Sequence, residues 1–453
     1  MEIIITGCGK VGTALASKLI DEGHNITVID TNPSKIQRIT EDFDVMGIVG
    51  NGSSLSVLSE ANIENADVFI AVTGSDELNL LCCLFARNSS GGCDTIARVR
   101  NPIYSREIEM IKEQLGISTI INPELASARE ISRLLRFPAA SKIDTFAGGR
   151  VQLIKFELTS SNPLVGMMLK DIPSKFGQDT LICAVERGHE VIIPDGNFAL
   201  WGSDIVTILA APDKAAAFFK KLKMPIKPVK SAIIVGGGSL CYYLARDLID
   251  KNINVRIIEQ NSDRCAFLAE LLPDADVIQG DGTDRHLLMA EGLKETEAFV
   301  ALTGIDEENI LMSMFSKKHS CAKLVTKVNR FEFDDILDGI DIGSIIYPKY
   351  ITCDFIVQHV RALRNKSGSS IKTLYRILDD RVEALEFTVQ ENSKITGIPL
   401  SELKIRQHML ICCIARGDRI IIPRGSDMLH PGDNVIVVTL DKGLHDVREI
   451  LAR

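Results

Sequence analysis

The sequence lacks long apolar runs, an excess of basic residues and a basic leader, which are typical of membrane, nucleic-acid-binding and secreted proteins. Its 453 residues include one tryptophan, and its apolar runs, such as 205–211, end far short of the ~18 to 20 residues that cross a bilayer. With 51 Lys and Arg against 60 Asp and Glu, the net charge of -9 is mildly acidic and dispersed, which disfavours nucleic acid as a partner. No basic leader precedes the strand-like Ile3–Ile5, so we expect neither a signal peptide nor a membrane span.

The cysteines do not follow a metal-binding or redox spacing. The chain has 11 of them, with two adjacent pairs, but no C-x-x-C motif and no Cys/His cluster with zinc spacing. Both pairs, Cys82-Cys83 and Cys412-Cys413, lie in apolar runs, where a cysteine usually serves as a small buried hydrophobe. We therefore predict reduced thiols in the core and no metal site.

The most informative feature is an internal repeat. The glycines of the segment Gly7-Cys8-Gly9 return at Gly236-Gly237-Gly238. Residues 50–53 match 280–283, and residues 71–77 match 301–307, in the same order along the chain. One half of the chain is a copy of the other, and this decides the architecture before any single motif is weighed.

The first ~120 residues of each half alternate short apolar runs with amphipathic stretches, which is typical of βαβ units around a parallel sheet. In the first half we predict strands near 2–6, 25–29, 45–49, 68–73, 95–99 and 118–121. After about residue 140 the alternation in 152–158 indicates a half-exposed strand and a smaller α+β module, which recurs in the second half. A proline- and lysine-containing segment, 224–230, suits a linker between the halves.

The predicted fold class is therefore α/β, with two doubly wound parallel-sheet (Rossmann-like) domains, each followed by a small α+β module. The four predicted domains are 1–122, 141–224, 230–348 and 368–453.

A glycine motif in the first domain predicts a nucleotide site. Gly7-x-Gly9-x-x-Gly12 directly follows a strand and opens a helix. Gly7 permits the tight turn, Gly9 lets the backbone approach a pyrophosphate, and Gly12 allows close packing of helix on strand. Three glycines after a strand can also form a tight turn without any ligand, but the strand, the helix, a downstream acidic residue and the repeat together favour binding.

Asp30, downstream of Gly12 at the end of the second strand, would accept hydrogen bonds from the ribose hydroxyls. A carboxylate there would repel a 2′-phosphate, so the site favours NAD or an adenine nucleotide over NADP. Thr73-Gly74 ends the fourth strand, at the edge where ligands bind, and an ordinary strand-to-helix cap there is compatible with binding. Arg98, within the fifth strand, requires a phosphate or carboxylate partner, of which we favour phosphate.

The second motif departs from this pattern. Gly236 and Gly238 are kept, but Cys241 replaces the third glycine, which predicts looser helix packing. Glu259 replaces the aspartate and keeps the ribose acceptor, while Lys327 replaces Arg98 and loses its bidentate fork. We predict nucleotide binding at this second site as well, and the departures leave open both the identity of its ligand and whether the site is occupied.

A dehydrogenase needs a proton donor or acceptor beside the nicotinamide, and the sequence offers no obvious candidate. The 8 histidines are scattered, and we interpret His24, His189, His286, His319 and His445 as surface or capping residues. The smaller modules are too short for an ordinary substrate domain. We therefore predict a protein that is not an enzyme, with an NAD-dependent oxidoreductase as the alternative.

These residues resemble a known family, the TrkA proteins, which are the peripheral NAD-binding subunits of bacterial Trk potassium uptake systems and carry tandem RCK domains (regulators of potassium conductance). The resemblance covers nearly the whole chain. Its motifs are 7–12, Asp30, Thr73-Gly74 and 97–100 in the first nucleotide domain, then 162–166 and 202–204 in the module that follows, with equivalents in the second half.

The resemblance implies a cytoplasmic regulatory subunit on the inner face of the cell membrane, in a homo-oligomer that we expect to be a tetramer and that gates a separate membrane-embedded potassium transporter subunit. The implied ligands are NAD(H) and also ATP or ADP. The predicted binding residues of the first domain are Gly7, Cys8, Gly9, Lys10, Val11, Gly12, Asp30, Asn51, Thr73, Gly74 and Arg98. Those of the second are Gly236, Gly237, Gly238, Ser239, Leu240, Glu259, Asp281, Thr303 and Gly304.

Overall fold

The fold is described from a computed structural model. It covers residues 1–105, 107–188, 190–329, 340, 342–365, 371–377, 381–391, 393, 395–441 and 447–451. The chain forms two compact units, one of 1–132 with 229–360 and one of 133–228 with 361–453, so each unit combines a segment from each half of the chain. Within the described residues, no helix is both long enough and apolar enough to cross a bilayer.

The first nucleotide domain alternates strands and helices. Its elements are β1 (Glu2–Thr6), α1 (Lys10–Asp21), β2 (Asn25–Asp30), α2 (Pro33–Asp42), β3 (Met46–Val49), α3 (Leu55–Glu60), β4 (Val68–Ala71), α4 (Asp76–Ser89), β5 (Asp94–Arg98), α5 (Pro102–Ser105), α6 (Ile108–Leu115), β6 (Thr119–Ile121) and α7 (Pro123–Arg136). The strands pair in parallel in the order β3-β2-β1-β4-β5-β6, so β1 and β4 are neighbours at the point where the order reverses. The six predicted strands are confirmed, and the fourth ends earlier than predicted, at Ala71.

The first small module is an antiparallel sheet with short helices. Its elements are β7 (Lys142–Phe146), β8 (Val151–Glu157), α8 (Ile172–Phe176), β9 (Thr180–Arg187), β10 (Glu190–Ile192), β11 (Ile205–Ala210) and α9 (Pro212–Lys221). The sheet order is β10-β9-β11-β8-β7. This is the α+β module that the change of pattern predicts.

The second nucleotide domain repeats the first. Its elements are β12 (Ser231–Val235), α10 (Ser239–Ile249), β13 (Asn254–Glu259), α11 (Ser262–Leu271), β14 (Asp276–Gln279), α12 (Arg285–Ala290), β15 (Ala298–Ala301), α13 (Asp306–His319), β16 (Lys323–Lys327), β17 (Ser344–Ile346) and α14 (Pro348–Asn365). Its parallel order, β14-β13-β12-β15-β16-β17, is the order of the first sheet. The repeat read from the sequence is thus a repeat of topology.

The second small module has β18 (Ile371–Ile377), β19 (Val382–Thr388), β20 (Met409–Arg416), β21 (Arg419–Ile421) and β22 (Asn434–Thr439). The sheet order is β18-β19-β22-β20-β21. Its apolar residues and those of the first module form one buried cluster that contains Cys183, Cys412 and Cys413. Cys82 and Cys83 are likewise fully buried in the first nucleotide domain, as predicted for both pairs.

One histidine differs from its predicted role. His24, expected at the surface or as a cap, lies in the turn before β2 and is only 6% exposed. The helix α1 packs on the sheet immediately before this turn, so the ring is enclosed where the chain reverses. His189 and His445 lie outside the described residues.

Candidate nucleotide-binding site

The first glycine motif forms the turn between β1 and α1. Gly7 has a φ of +103°, and a Cβ there would lie 2.9 Å from the amide nitrogen of Thr73. A Cβ at Gly12 would lie 1.9 Å from the carbonyl oxygen of Gly7, whereas a Cβ at Gly9 would have no described atom within 4 Å. The first and third glycines therefore serve the packing of the turn, and Gly9 leaves open space at the start of the helix.

The start of α1 offers backbone N–H groups to that space. Gly9 is the N-cap of the helix, and no described side chain caps the first turn. Uncapped N–H groups at a helix N-terminus favour a negatively charged group such as a phosphate. Lys10, the first helical residue, adds a formal positive charge to this edge.

Asp30 lies at the end of β2 and is held by the backbone around it. Its Oδ2 accepts a hydrogen bond from the amide of Cys8 at 2.8 Å, and its Oδ1 accepts one from the amide of Asn32 at 2.9 Å. Lys35 Nζ lies 3.5 Å from Oδ2. A carboxylate has about four lone-pair positions, so this oriented side chain keeps acceptor capacity for ribose hydroxyls. The sequence did not predict the contact that joins Asp30 to the glycine turn.

Asn79, which sequence reasoning missed, organises the end of β4. Its Oδ1 accepts hydrogen bonds from the amide and the hydroxyl of Thr73, both at 2.7 Å, and its Nδ2 donates to the carbonyl of Arg98 at 2.9 Å. Two of these contacts recur at Asn309, whose Oδ1 accepts from the amide of Thr303 at 2.9 Å and whose Nδ2 donates to the carbonyl of Lys327 at 3.0 Å. The recurrence of asparagine at the equivalent place of the repeat was the available signal.

The Arg98 guanidinium makes a backbone contact that the sequence did not predict. It donates through Nη2 to the carbonyl oxygen of Thr73, because the end of β4 lies directly beside it, and its Nε has no hydrogen-bond partner among the described residues. Burial and the adjacent charge of Arg100 lower the pKa of Arg98 below its usual value. The remaining donor capacity of the guanidinium is compatible with an anion in the crevice, and the predicted phosphate partner stays a prediction.

Two acidic residues complete the carboxyl edge of the sheet. Asp76 Oδ2 accepts from the amides of Arg100 and Asn101 at 2.8 Å each, which fixes the chain after β5. Arg100 in turn donates through Nη2 to the carbonyl of Gly74 at 2.7 Å. Glu124, in the first turn of α7, has a buried Oε2 without a hydrogen-bond partner among the described residues, and burial raises the pKa of its carboxyl group.

These residues surround a cavity of about 550 Å³, which is in the range of small-molecule pockets. The predicted residues that line it are Gly7, Gly9, Lys10, Val11, Asp30, Asn51, Thr73, Gly74 and Arg98. Cys8 and Gly12 lie behind this lining, inside the turn: the Cys8 side chain is 6% exposed, and burial raises the pKa of its thiol to about 12. Asn51 uses its Oδ1 to accept from the amide and hydroxyl of Ser53.

The cavity also has a wall that the sequence did not suggest. Asn329, Pro348, Lys349 and Thr352, all from the second nucleotide domain, line it together with the residues of the first. No motif links these positions to the glycine turn, since the contact depends on how the two domains of this unit pack. The first site is therefore built from both halves of the chain.

The second glycine turn is similar in shape but is engaged by side chains of its own domain. Gly236 has a φ of +101°, and the amide of Gly237 donates to Glu259 Oε2 at 2.6 Å. Arg264, which corresponds to Lys35, donates through Nε to the carbonyl of Gly237 at 2.5 Å. In the first domain Lys35 pairs with Asp30 instead, and within the described residues it makes no hydrogen bond to the glycine turn. The Arg264 side chain therefore covers the second glycine turn, whereas the first glycine turn is open.

The other predicted binding residues of the second domain differ in part from their equivalents in the first domain. Cys241 is completely buried in α10 at the place of Gly12, and the looser helix packing expected from this substitution stays a prediction. Leu240 beside it is also buried. Lys327 Nζ donates to the carbonyl of Leu302 at 2.9 Å, and burial lowers the pKa of this amine. Asp281 accepts from the amide and hydroxyl of Thr283, as Asn51 does from Ser53.

A second cavity of about 550 Å³ lies where the edge of the first domain meets the second turn. Ser239, Arg264 and Phe267 line it from the second domain, and residues 74–77, 100–102 and Glu124 line it from the first. Gly238 precedes Ser239 as the N-cap of α10, and a Cβ at Gly238 or Gly304 would meet no described atom within 4 Å. Of the predicted residues of the second set, Ser239 alone lines this cavity, so the structure does not bring that set together around a cavity as it does the first.

Comparison with family models identifies both kinds of domain. The TrkA-N domain model matches residues 3–123 and 232–348, and the TrkA-C domain model matches residues 153–223 and 384–452. Together these matches cover most of the chain, in the alternating order that the repeat predicts.

Full-length relatives and solved structures agree with this assignment. The chain is 32% identical to Trk system potassium uptake protein TrkA homolog 1 of Methanosarcina mazei, over 99% of both chains. It is 30% identical to Trk system potassium uptake protein TrkA of Haemophilus influenzae, over 98% of this chain and 96% of the relative. The GsuK RCK domain has the same fold, with a TM-score of 0.62 at 19% identity over 96% of this chain and 92% of that one. A GsuK channel bound to NAD aligns with the same TM-score of 0.62 at 19% identity over 97% of this chain and 76% of that one. The chain, with its tandem RCK architecture, belongs to the TrkA family of potassium uptake proteins.

Proposed function

We propose that the chain is a cytoplasmic, nucleotide-binding regulatory subunit of a Trk-type potassium uptake system. It binds NAD(H) or ATP/ADP without consuming them and gates a separate membrane transporter through a ligand-induced change in a ring of RCK domains. The observation that carries this proposal is the first cavity, which combines an uncapped helix N-terminus, an oriented carboxylate at Asp30 and five cationic side chains. We propose that the predicted binding residues of the two domains form the two nucleotide sites. We also propose that the four predicted ranges are the functional domains of the chain.

The chemistry of the cavity fits a nucleotide. The N–H groups of α1 and the cations suit phosphates, and Asp30 at the end of β2 suits a ribose diol. The relatives named above are Trk potassium uptake proteins, and one neighbour of the same fold is a channel bound to NAD. Both facts support regulation of ion transport by a nucleotide.

Exposed apolar residues support a ring of several chains. Leu81 and Leu311 occupy equivalent places on α4 and α13 and are 41% and 65% exposed, and Met314 extends the second patch. Apolar surface repeated at equivalent places of two domains suits association with equivalent surfaces of other copies. We propose a tetramer of two-RCK chains docked on the cytoplasmic face of the transporter.

The alternative is an NAD-dependent oxidoreductase. Such an enzyme needs an acid or base that reaches the cofactor, and the cysteines around the sites argue against this role. Burial raises the pKa of both Cys8 and Cys241 to about 12, so neither supplies a thiolate near neutral pH.

Calorimetric titration of the full chain with NADH, NAD, ATP and ADP tests the proposal. Asp30→Asn should weaken binding by roughly tenfold to a hundredfold, because a hydrogen bond to a charged acceptor is worth about 1.5 to 3 kcal/mol. Asp42→Asn, on the exposed end of α2, is the matched control and should bind as the unaltered chain does. Recovered nucleotide should be chemically unchanged. Absence of binding, or steady oxidation of NADH with a reducible metabolite, contradicts the proposal.

Potassium uptake in cells tests the regulatory part. Asp30→Asn should alter the nucleotide response of uptake while the chain still copurifies with the transporter subunit. The effect is limited by the ligand's differential affinity for the two ring shapes, commonly about 1 to 3 kcal/mol of coupling. Uptake that is indifferent to deletion of the chain contradicts a role in gating.

A further inference from the structure

The first turns of α7 and α14 are equivalent parts of the repeat that carry opposite charge. Each helix begins with a proline directly after the last strand region of its sheet, at Pro123 and at Pro348. The hydroxyls of Ser127 and Thr352 both donate to the carbonyl of that proline at 2.8 Å. The second residue of each helix is Glu124 in the first half and Lys349 in the second.

Helix α14 carries Lys349 to the first glycine turn. The Cys353 thiol, one turn after Lys349, lies 3.8 Å from the carbonyl oxygen of Val11 in the first turn of α1. Lys349 and Thr352 line the same cavity as Gly9 and Lys10. The amine of Lys349 also lies 4.8 Å from the centre of the Tyr350 ring, a cation–π contact at the start of α14.

The two cavities differ in charge. The first has five cationic residues against two carboxylates, Asp30 and Glu124, whereas the second has two cations against three carboxylates, Asp76, Glu77 and Glu124. Each phosphate added to a nucleotide adds negative charge, and a cavity with excess positive charge favours the longer chain. The first cavity is therefore suited to a polyphosphate and the second is not.

We propose that Lys349, supplied by the second nucleotide domain, contacts the terminal phosphates of a nucleotide in the first site and makes that site select nucleoside triphosphates over monophosphates. The proposal rests on the proposed nucleotide binding and adds a specificity residue to it. Among the cations of the first cavity, Lys349 is the one that the other half of the chain contributes. Its contact with phosphate would therefore join the two domains through the ligand.

The test is calorimetric titration of the full chain with ATP, ADP and AMP, for the unaltered protein and for Lys349→Gln, Lys349→Arg and Lys112→Gln. Lys349→Gln should weaken ATP binding by about tenfold, as expected for loss of one charge-assisted contact, and leave AMP binding within about twofold. Lys349→Arg should restore most of the preference for ATP. Lys112, on α6, lies outside the lining of both cavities, so Lys112→Gln should change nothing.

Each outcome separates this proposal from the one on which it rests. If the unaltered chain binds none of the three nucleotides, nucleotide binding itself fails and the role of Lys349 fails with it. If the chain binds and Asp30→Asn weakens binding, but Lys349→Gln leaves the ratio of ATP to AMP affinity unchanged, only the role of Lys349 fails. Equal weakening of all three nucleotides by Lys349→Gln, or no rescue by arginine, also overturns it, because a packing defect and not phosphate contact would then explain the loss. Thermal melting of each variant reports separately whether the fold is kept.

Discussion

At the residue scale, the glycines of the first turn have different roles, in the packing of the turn and in ligand access. A Cβ at Gly12 would strike a backbone carbonyl oxygen, while a Cβ at Gly9 would enter the open space at the start of α1. We expect Gly12→Ala to lower the free energy of unfolding by about 2 kcal/mol, in the range of overpacking defects, because the obstacle is backbone. Gly9→Ala should unfold as the unaltered chain does but bind nucleotide weakly.

Denaturant titration and calorimetry of both glycine variants separate the two roles. Gly91, where an added Cβ would lie 3.9 Å from the carbonyl oxygen of Glu64, lines neither cavity and is the control for the effect of alanine in a loop of this domain. Equal stability of Gly9→Ala and Gly12→Ala would contradict a packing role for Gly12 that Gly9 does not share.

A buried aspartate in the second small module predicts an acid-sensitive unit. Asp433 is 1% exposed and accepts two hydrogen bonds of 2.8 Å from Arg416. Burial alone would raise the pKa of Asp433, but hydrogen bonds from Arg416 and the amide of His430 outweigh it and leave the pKa below its usual value. A depressed carboxyl pKa contributes stability above about pH 3.9, the usual value for aspartate, and this stability is lost as pH falls through the folded-state pKa.

Acid unfolding of the full chain, followed by near-ultraviolet circular dichroism, tests this expectation. Asp433→Asn should be less stable than the unaltered chain at neutral pH, and the difference should shrink as pH falls below about 3.9. The control is Asp418→Asn, at a fully exposed side chain. A stability difference for Asp433→Asn that does not vary with pH would contradict the role of this carboxylate.

Single residues could be predicted from the sequence where a local motif required them. The glycine turn and Asp30 follow from their spacing, since backbone geometry permits few alternatives there. The contact of Arg98 with the Thr73 carbonyl could not be predicted, because a main-chain carbonyl carries no sequence signal. The roles of Asn79 and Asp76 were missed because these α4 side chains bond mainly to backbone groups at the ends of β4 and β5, although both residues recur in the second half as Asn309 and Asp306.

At the element scale, helix α10 joins the second glycine turn to the edge of the first site. The Tyr243 hydroxyl donates to the carbonyl of Arg100 at 3.1 Å and accepts from Asn122 Nδ2 at 2.9 Å. Its ring is 4% exposed, so both partners would lose a buried contact if the hydroxyl were removed. A ligand that moves Arg100 would therefore change the environment of α10.

We expect Tyr243→Phe to lower the free energy of unfolding by about 1 to 3 kcal/mol, because two buried groups lose their partner. It should also reduce the protection of α10 amides that ADP causes in the unaltered chain, as measured by hydrogen exchange. Tyr242→Phe is the matched control, since the Tyr242 hydroxyl makes no hydrogen bond within the described residues. If ADP protects the α10 amides equally in Tyr243→Phe and in the unaltered chain, the Tyr243 hydroxyl does not link the first site to α10.

The strands and helices of both nucleotide domains could be predicted from hydrophobic periodicity, because each buried parallel strand is a short continuous apolar run. The sequence could not predict that α7 and α14 would each line a cavity of the opposite domain. That arrangement depends on packing between segments from opposite halves of the chain, such as the Lys18 to Asp354 ion pair at 2.6 Å. Periodicity identifies an element but not the element of another domain that it will meet.

At the scale of the whole molecule, the equivalent apolar patches on α4 and α13 predict assembly. Leu311→Asp should shift the oligomer toward single chains, because it places a charge in a contact that would otherwise bury apolar surface. Sedimentation velocity of the full chain measures the change. Leu55→Asp, at a residue 59% exposed on α3 outside both patches, should leave the assembly intact. Equal assembly of the two variants would place the interface elsewhere.

The opposite charges of Glu124 and Lys349 have a consequence for how such a chain can change. In a symmetric dimer of one short chain, every substitution would appear in both halves at once, so the two cavities would always keep the same charge. Joining the halves in one polypeptide removes this constraint, and either position can then vary alone. Gene fusion thus permits a pair of sensors that began as identical copies to become specialised for different signals.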